Sequence, residues 1–470
     1  MIHRRQALLT TLFGAGYMGL RAIATGVPAS LLLDPRRLLA APPPPNPSAR
    51  FIVFQTSGDG DPINANCPGT YDDAGGSAMT SGIAHGADPS MARTPLSLGG
   101  ATWGAALPWA QPWLAVPNVI TPGVWQAVLD RTTFWHLATA TPIHPKEPSV
   151  LKLMDQTQSD DMLPSILARY LAPALGTIQA QPIAIGARSP SEALTYGGQT
   201  QPLIPPTAIK ATLASPAGPL SSLQALRDQT MNALYAVYKT GATAAQQASI
   251  DALVTSQQQA RAIGQSLLGM LDSIADDGVA SQITAALALI QMKVTPVVSI
   301  HVPFGGDNHV DPDLVIEAQQ TAGVGPNGAL GADLTGVPAI AALMSAVYAA
   351  QLQDAVAFMS LNVFGRTLAA ATGAGTGRQH NPNHHVAITI GGAFRPGVVG
   401  GVAPFAGAAG DYGAVAIDST TGIGSPGGDI APAASLASWG KTMMAGVGID
   451  GATIAREVVA GTVIAGALSG

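Results

Sequence analysis

Unbroken apolar runs, rather than alternating ones, punctuate this 470-residue sequence. The first, Phe51-Ile52-Val53-Phe54, follows the prolines Pro42 to Pro45 and breaks into the polar loop Gln55-Thr56-Ser57-Gly58-Asp59-Gly60-Asp61. A continuous apolar run of this length suits a strand buried on both faces. Thr132 to Leu137, Val294 to His301, Ala355 to Val363 and His385 to Ile390 read the same way, and Pro296 delays the start of the run at Val294. Ala414 to Ile417 is a shorter candidate strand. Elsewhere the period is helical. Leu223, Leu226, Leu234, Val237 and Tyr238, then Ile263, Leu267, Met270 and Leu271, share their other faces with Ala and Gln. That spacing predicts three helices between Leu220 and Gln291, as an insert or side layer. Pro338 to Leu352 and Leu436 to Met444 predict two further helices, the first with proline in its opening turn, where it is tolerated. Tyr71 to Thr121 is rich in Gly, Pro and Trp, shows no clear period and reads as loop. Strands alternating with helices predict an α/β fold whose largely parallel sheet is covered on both faces. In such sheets, ligands bind beyond the carboxyl ends of the strands.

Composition narrows the class. The chain is 47% hydrophobic, so it can bury a large core, yet only 11% of its residues are charged and its net charge is -6. That balance provides no basic field for nucleic acid. A single cysteine, Cys67, excludes an intramolecular disulfide and any cysteine-cluster zinc or iron–sulfur site within one chain. The start, His3-Arg4-Arg5-Gln6-Ala7-Leu8-Leu9, is a twin-arginine pattern followed by a modest apolar stretch from Ala7 to Leu20. The stretch is short of the ~20 residues a membrane span needs and Arg21 interrupts it, so it reads as a signal rather than an anchor. Cleavage sites are available at Ala22-Ile23-Ala24 and near Ala40-Ala41. Residues 1–49 are therefore expected to be signal and proline-rich linker, and 50–470 one domain with a helical insert at about 220–291. The expected partner is the twin-arginine translocation machinery, with a periplasmic or secreted product and no stable transmembrane span in the mature chain.

Candidate chemistry concentrates late in the chain. Five of the nine histidines lie between His301 and His385, in polar patches at the ends of apolar runs. Asp307 and His309 flank one residue on a Gly-rich loop; His380 and His384 are four apart, with Pro382 arguing for an irregular loop between them. Mixed carboxylate and imidazole donors suit zinc, manganese or iron better than calcium. Asp59 and Asp61 could join such a site through the fold, although Gly58 and Gly60 also suit an ordinary turn. Arg366 and Arg378 could clamp an anionic ester, or only tie loops together. His136, inside an apolar run, is expected to be a core histidine hydrogen-bonded to backbone. No nucleophile elbow, phosphate-binding loop, zinc-protease helix or dinucleotide fingerprint is present, and nothing marks Cys67 as activated.

The order of these pieces resembles a family. A twin-arginine start, a first strand ending in a Gly/Asp loop, Gly-Gly-Asp-x-His, Phe-Gly-Arg-Thr, and Gly-Arg-x-His before a strand ending Gly-Gly look like the bacterial "domain of unknown function 1501" proteins. These are exported proteins similar to alkaline phosphatases and sulfatases. The likeness runs from about Phe51 to the C-terminus and is strongest from Val294 to Gly401. It implies an alkaline-phosphatase-like α/β/α sandwich and a metal-dependent ancestry in phosphate or sulfate ester hydrolysis. It implies roles for Asp59, Asp307, His309, His380, Arg366 and Arg378; with His384 added from the histidine cluster, the expected metal set is Asp59, Asp307, His309, His380 and His384, with Arg366 and Arg378 facing the ester and Thr141 or Thr139 the nearest hydroxyl nucleophile. This chain departs at three places: Gln379 where Asp is usual, Val363 where Glu is usual, and Ile143 where Ser or Thr would stand beside His144. Losing two carboxylates from a dicationic site weakens metal binding, and His384 with His385 offers neutral imidazoles for a single ion instead. The other expectations are a non-catalytic envelope protein that kept the fold, and an iron-dependent redox site on the histidines.

Overall fold

The computed structural model describes residues 46–57, 60, 62–71, 82–177, 179–186, 193–214, 269–304, 309–323, 334–369, 377–405 and 411–469, with scattered positions between 229 and 247. The expected signal, most of the helical insert, Asp59 and Asp307 lie outside the described residues.

The apolar runs form a central eight-stranded sheet. Its members are β1 (Phe51–Thr56), β2 (Thr132–Leu137), β3 (Ile183–Ile185), β4 (Leu203–Ile204), β5 (Val297–His301), β6 (Val356–Ser360), β7 (His385–Ile390) and β8 (Gly397–Val399). They lie in the order β8-β2-β7-β6-β1-β5-β3-β4. Strand β1 runs parallel to β5 on one side and to β6 on the other, with Ile52 beside Val297 and Phe51 beside Val356. β7 pairs antiparallel with both β6 and β2, so it runs against the others. The expected α/β fold with a mainly parallel sheet is present.

Successive side chains of a strand point to opposite faces, and both faces here are dry. Phe51 and Val53 of β1 join one core with Phe134, Val298, Ile300, Phe358 and Ile388. Helices α1 (Pro122–Leu129), α3 (Val279–Gln291) and α4 (Gly336–Ala349) cover that face. Ile52 and Phe54 join the other with Trp135, Leu137, Ala357, Met359 and Ala387, under α2 (Leu163–Leu175) and α5 (Ser435–Gly446). Burying each such side chain stabilises the fold by about 1.5–3 kcal/mol. Among the described residues, no helix is long and apolar enough to cross a membrane.

Two expectations change. The stretch expected to be loop contains a hairpin, Thr94–Leu98 against Ala101–Ala105, turned by Gly99 and Gly100, both at positive φ. Positive φ at both turn residues matches the twist of a two-residue hairpin. Ala414 lies outside the main sheet, in Tyr412–Ala414, which pairs with Val402–Pro404.

The direction of the strands positions everything that follows. Because β7 runs opposite to its neighbours, its first residue, His385, sits at the same edge as the last residues of β1, β2, β5 and β6. The loops after Thr56, Leu137, His301 and Ser360, and the loop before His385, all leave from that edge.

Candidate functional site

The loop after β6 starts the site. Its course is fixed by Leu361, whose amide donates to the Gln55 carbonyl at 3.0 Å, and by Asn362, whose amide donates to His385 Nε2 at 3.0 Å. It then forms a two-residue antiparallel ladder, Gly365 beside Asn381 and Arg366 beside His380. That ladder sets the His380 ring against Phe364, with centroids 4.2 Å apart and planes at 28°.

Two further loops reach the same ring. His380 Nδ1 lies 2.7 Å from the carbonyl oxygen of Pro142, in the loop after β2. A carbonyl only accepts, so Nδ1 carries a proton, and the neutral form of the ring has its lone pair on Nε2. His309, from the loop after β5, places its Nε2 3.1 Å from His380 Nε2. His144 stands edge-on, its centroid 4.7 Å from that of His380. The Gly377 amide donates to the His309 carbonyl at 2.7 Å, tying these loops together.

The separation of 3.1 Å suits a hydrogen bond from His309 into the His380 lone pair. It also fits a cation: metal–nitrogen bonds of about 2.0–2.1 Å would subtend roughly 100° at the ion, between octahedral and tetrahedral values. A backbone carbonyl on the far nitrogen is the usual outer partner of a metal-bound imidazole. Among the described residues, no set of three or more His, Cys, Asp or Glu side chains gathers to hold a metal. The described donors are thus the His309–His380 pair; Asp59 and Asp307, expected to join them, lie outside the described residues.

The remaining expected site residues separate. Arg366 is buried beside this pair, its guanidinium carbon 5.6 Å from the Phe364 ring centroid. A side chain on Gly60, just past β1, would overlap Phe364 and press on Arg366, so Gly60 lies against both. Thr141 is buried one residue before Pro142, and its hydroxyl accepts from the Ile143 amide at 3.4 Å. Thr139 on the same loop is fully buried, and its hydroxyl has no hydrogen-bond partner among the described residues.

Arg378, expected at the ester, directs its guanidinium to internal partners. Its Nε donates to Glu317 Oε2 at 2.8 Å and its Nη1 to the Thr367 carbonyl at 2.7 Å, while Nη2 donates to the Ala84 carbonyl. Arginine and glutamate are both buried, and Asn66 Nδ2 donates to Glu317 Oε1 at 2.8 Å. Arg378 is a bracket joining three segments.

His384 also leaves the expected metal set. It is fully buried, with Nδ1 3.0 Å from Asn64 Nδ2 and Nε2 2.8 Å from His136 Nδ1. Both ring nitrogens are therefore engaged away from His309 and His380. His136 Nε2 reaches the Pro68 carbonyl at 2.9 Å, the backbone partner expected of a core histidine. Burial lowers the pKa of His136 to about 4 and of His385 to about 3. His384 is held well below the usual imidazole range by burial, then by His136 and His385.

Sequence reasoning placed Phe364 and His144 only as neighbours of expected site residues, without a role of their own, and passed over Asn64 and Glu317. His144 carried a signal, a histidine just past a predicted strand. Asn64 and Glu317 carried none, because their partners His384 and Arg378 are 320 and 61 residues away. Comparison of the chain with protein-family models, curated proteins and solved structures found no match.

Proposed function

We propose that the chain is an exported, metal-dependent hydrolase of phosphate or sulfate esters, built on an alkaline-phosphatase-like α/β/α sandwich. The observation that carries this reading is the facing Nε2 pair of His309 and His380, 3.1 Å apart, with His380 fixed in the ligand tautomer by Pro142. Its place supports the reading too, since ligands of open α/β sheets bind beyond the strands' carboxyl ends. The resemblance to the "domain of unknown function 1501" proteins supplies the reaction class, and the twin-arginine start supplies the route of export.

In this reading His309 and His380 hold a zinc, manganese or iron ion, with Asp59 and Asp307 completing the donor set. A divalent ion there would polarise the ester and neutralise charge that develops on its oxygens. Arg366, buried against Phe364, adds a fixed positive charge beside the pair. Thr141 is the hydroxyl for attack, on the loop whose next residue orients His380.

One set of observations favours a second reading, a non-catalytic envelope protein on the same fold. Arg378 and His384 are engaged in internal bonds, Val363 is buried in a hydrophobic core, and the Gln379 amide donates to the Gly377 carbonyl at 3.3 Å. Three positions of the resembled pattern, Arg378, Val363 and Gln379, thus lack site chemistry here, as does His384. Metal content of protein isolated from the periplasm, with turnover of an aryl phosphate and an aryl sulfate, separates the two. Stoichiometric metal and turnover, both lost in His380→Ala, support the hydrolase. A metal-free, inert wild-type protein supports the second reading.

A further inference from the structure

The buried contacts around His384 have a direction. The Pro68 carbonyl can only accept, so the proton of His136 is on Nε2, 2.9 Å away. A neutral His136 then carries a lone pair on Nδ1, and His384 Nε2, 2.8 Å from it, must be the donor. That leaves the lone pair of His384 on Nδ1, which accepts from Asn64 Nδ2 at 3.0 Å. The other hydrogen of Asn64 Nδ2 goes to the Arg366 carbonyl at 2.9 Å, and Asn64 Oδ1 accepts from the Arg366 amide at 3.1 Å. Turning the Asn64 amide over would set its NH2 against the Arg366 N–H and its oxygen against two acceptors. Only one arrangement of protons satisfies every group.

Glycines make room at both ends. A Cβ on Gly69 would overlap His136 Nε2, and one on Gly365 would overlap the His384 carbonyl and crowd Asn64 Nδ2. Asn64, His136 and His384 are all wholly buried, where a neutral chain is favoured over a charged one. Burial opposes charge on both rings.

We propose that Asn64, His384 and His136 are positioning residues, a one-way chain of neutral hydrogen bonds that clamps the backbone of Arg366 beside His380. Arg366 and His380 pair across their two-residue ladder, so a clamp on one aligns the other. The chain reaches from the Pro68 turn to that ladder. The functional half of this inference rests on the hydrolase reading; the proton order does not.

The test uses full-length protein with 15N-labelled histidine. Long-range proton–nitrogen spectra at pH 7.5 report the tautomer of each ring, assigned by the signals lost in His136→Gln and His384→Gln. The expected result is an Nε2-protonated neutral tautomer for both rings. An Nδ1-protonated or imidazolium ring at either position overturns the proposal, and the wild-type spectra alone can give that answer if a variant does not fold. Asn64→Asp removes both donors and faces the His384 lone pair with a carboxylate. Its expected effects are a doubly protonated His384 and an affinity for inorganic phosphate at least tenfold weaker. Wild-type tautomers and phosphate affinity in that variant also overturn the clamp. A wild-type protein that binds neither metal nor phosphate defeats the hydrolase reading, and the tautomer spectra then decide the chain on their own.

Discussion

At the scale of single residues, neighbouring site candidates divide into those that face one another across loops and those that hold the scaffold. His380 belongs to the first kind. An asparagine there keeps an N–H for the Pro142 carbonyl but removes the Nε2 lone pair. His380→Asn is therefore expected to lower zinc affinity at least about a hundredfold, a loss of one imidazole ligand, while the urea midpoint moves little. Zinc titration against a competing chelator measures it, and unchanged affinity would remove His380 from the site. Arg378 belongs to the second kind. Truncating one partner of a buried ion pair leaves the other charge uncompensated, so Arg378→Met should cost roughly 3–5 kcal/mol of stability. Arg378→Met with Glu317→Met should recover much of that loss in urea unfolding; a single variant as stable as wild type would contradict the bracket. The sequence made His309 and His380 legible because each lies in a polar patch beside a predicted strand. At His384 the ring turns inward to His136 on the neighbouring strand, a contact that nothing in the polar patch around it announces.

At the scale of elements, legibility followed length and burial. β1, β5, β6 and β7 are wholly buried runs of five or six residues, and the sequence shows each as an apolar block. Burial on both faces also erases alternation, so nothing in the block at His385 announces that β7 runs against its neighbours. β3, β4 and β8 have three, two and three residues, too few for any period to register. The hairpin strand Thr94–Leu98 does alternate, burying Leu96 and Leu98 while Pro95 and Ser97 stay exposed, but over only five residues. The smallest element matters most to the site. The Gly365–Arg366 ladder carries His380, and Gly365 lies where a Cβ would overlap the His384 carbonyl. Gly365→Ala must push this strand of the ladder away from the His384 carbonyl and Asn64. It is expected to destabilise the fold by about 1–3 kcal/mol, as overpacking does, and to weaken zinc binding as well. Thermal unfolding and zinc titration of the same preparation check both; an alanine variant that matches wild type in both would show that the ladder does not set the His380 position.

At the scale of the whole molecule, three fully buried imidazoles next to one another make stability depend on mild acid. His136, His384 and His385 are neutral in the fold, each with its pKa pushed below the ordinary value by burial. The unfolded chain lets the same rings take up protons near pH 6.5. Between that value and the lowered values of the fold, about 4 for His136 and about 3 for His385, the unfolded state binds more protons than the native one. Stability therefore rises with pH through this window, and falls as the solution is acidified from about 6.5 downward. Each fully developed proton difference is worth about 1.4 kcal/mol per pH unit. Three such groups can remove several kcal/mol by pH 5, before carboxylates with ordinary values take up protons. A domain stable by ~5–15 kcal/mol would lose a large share of its margin there. Urea unfolding at pH 7.5, 6.5, 5.5 and 5 is expected to show that decline, with a slope approaching three protons. His136→Gln should make it shallower by about one proton, because glutamine does not titrate. A protein equally stable at pH 7.5 and 5 would mean that these rings are charged or solvated in the fold, and the neutral chain through Asn64 could not then exist.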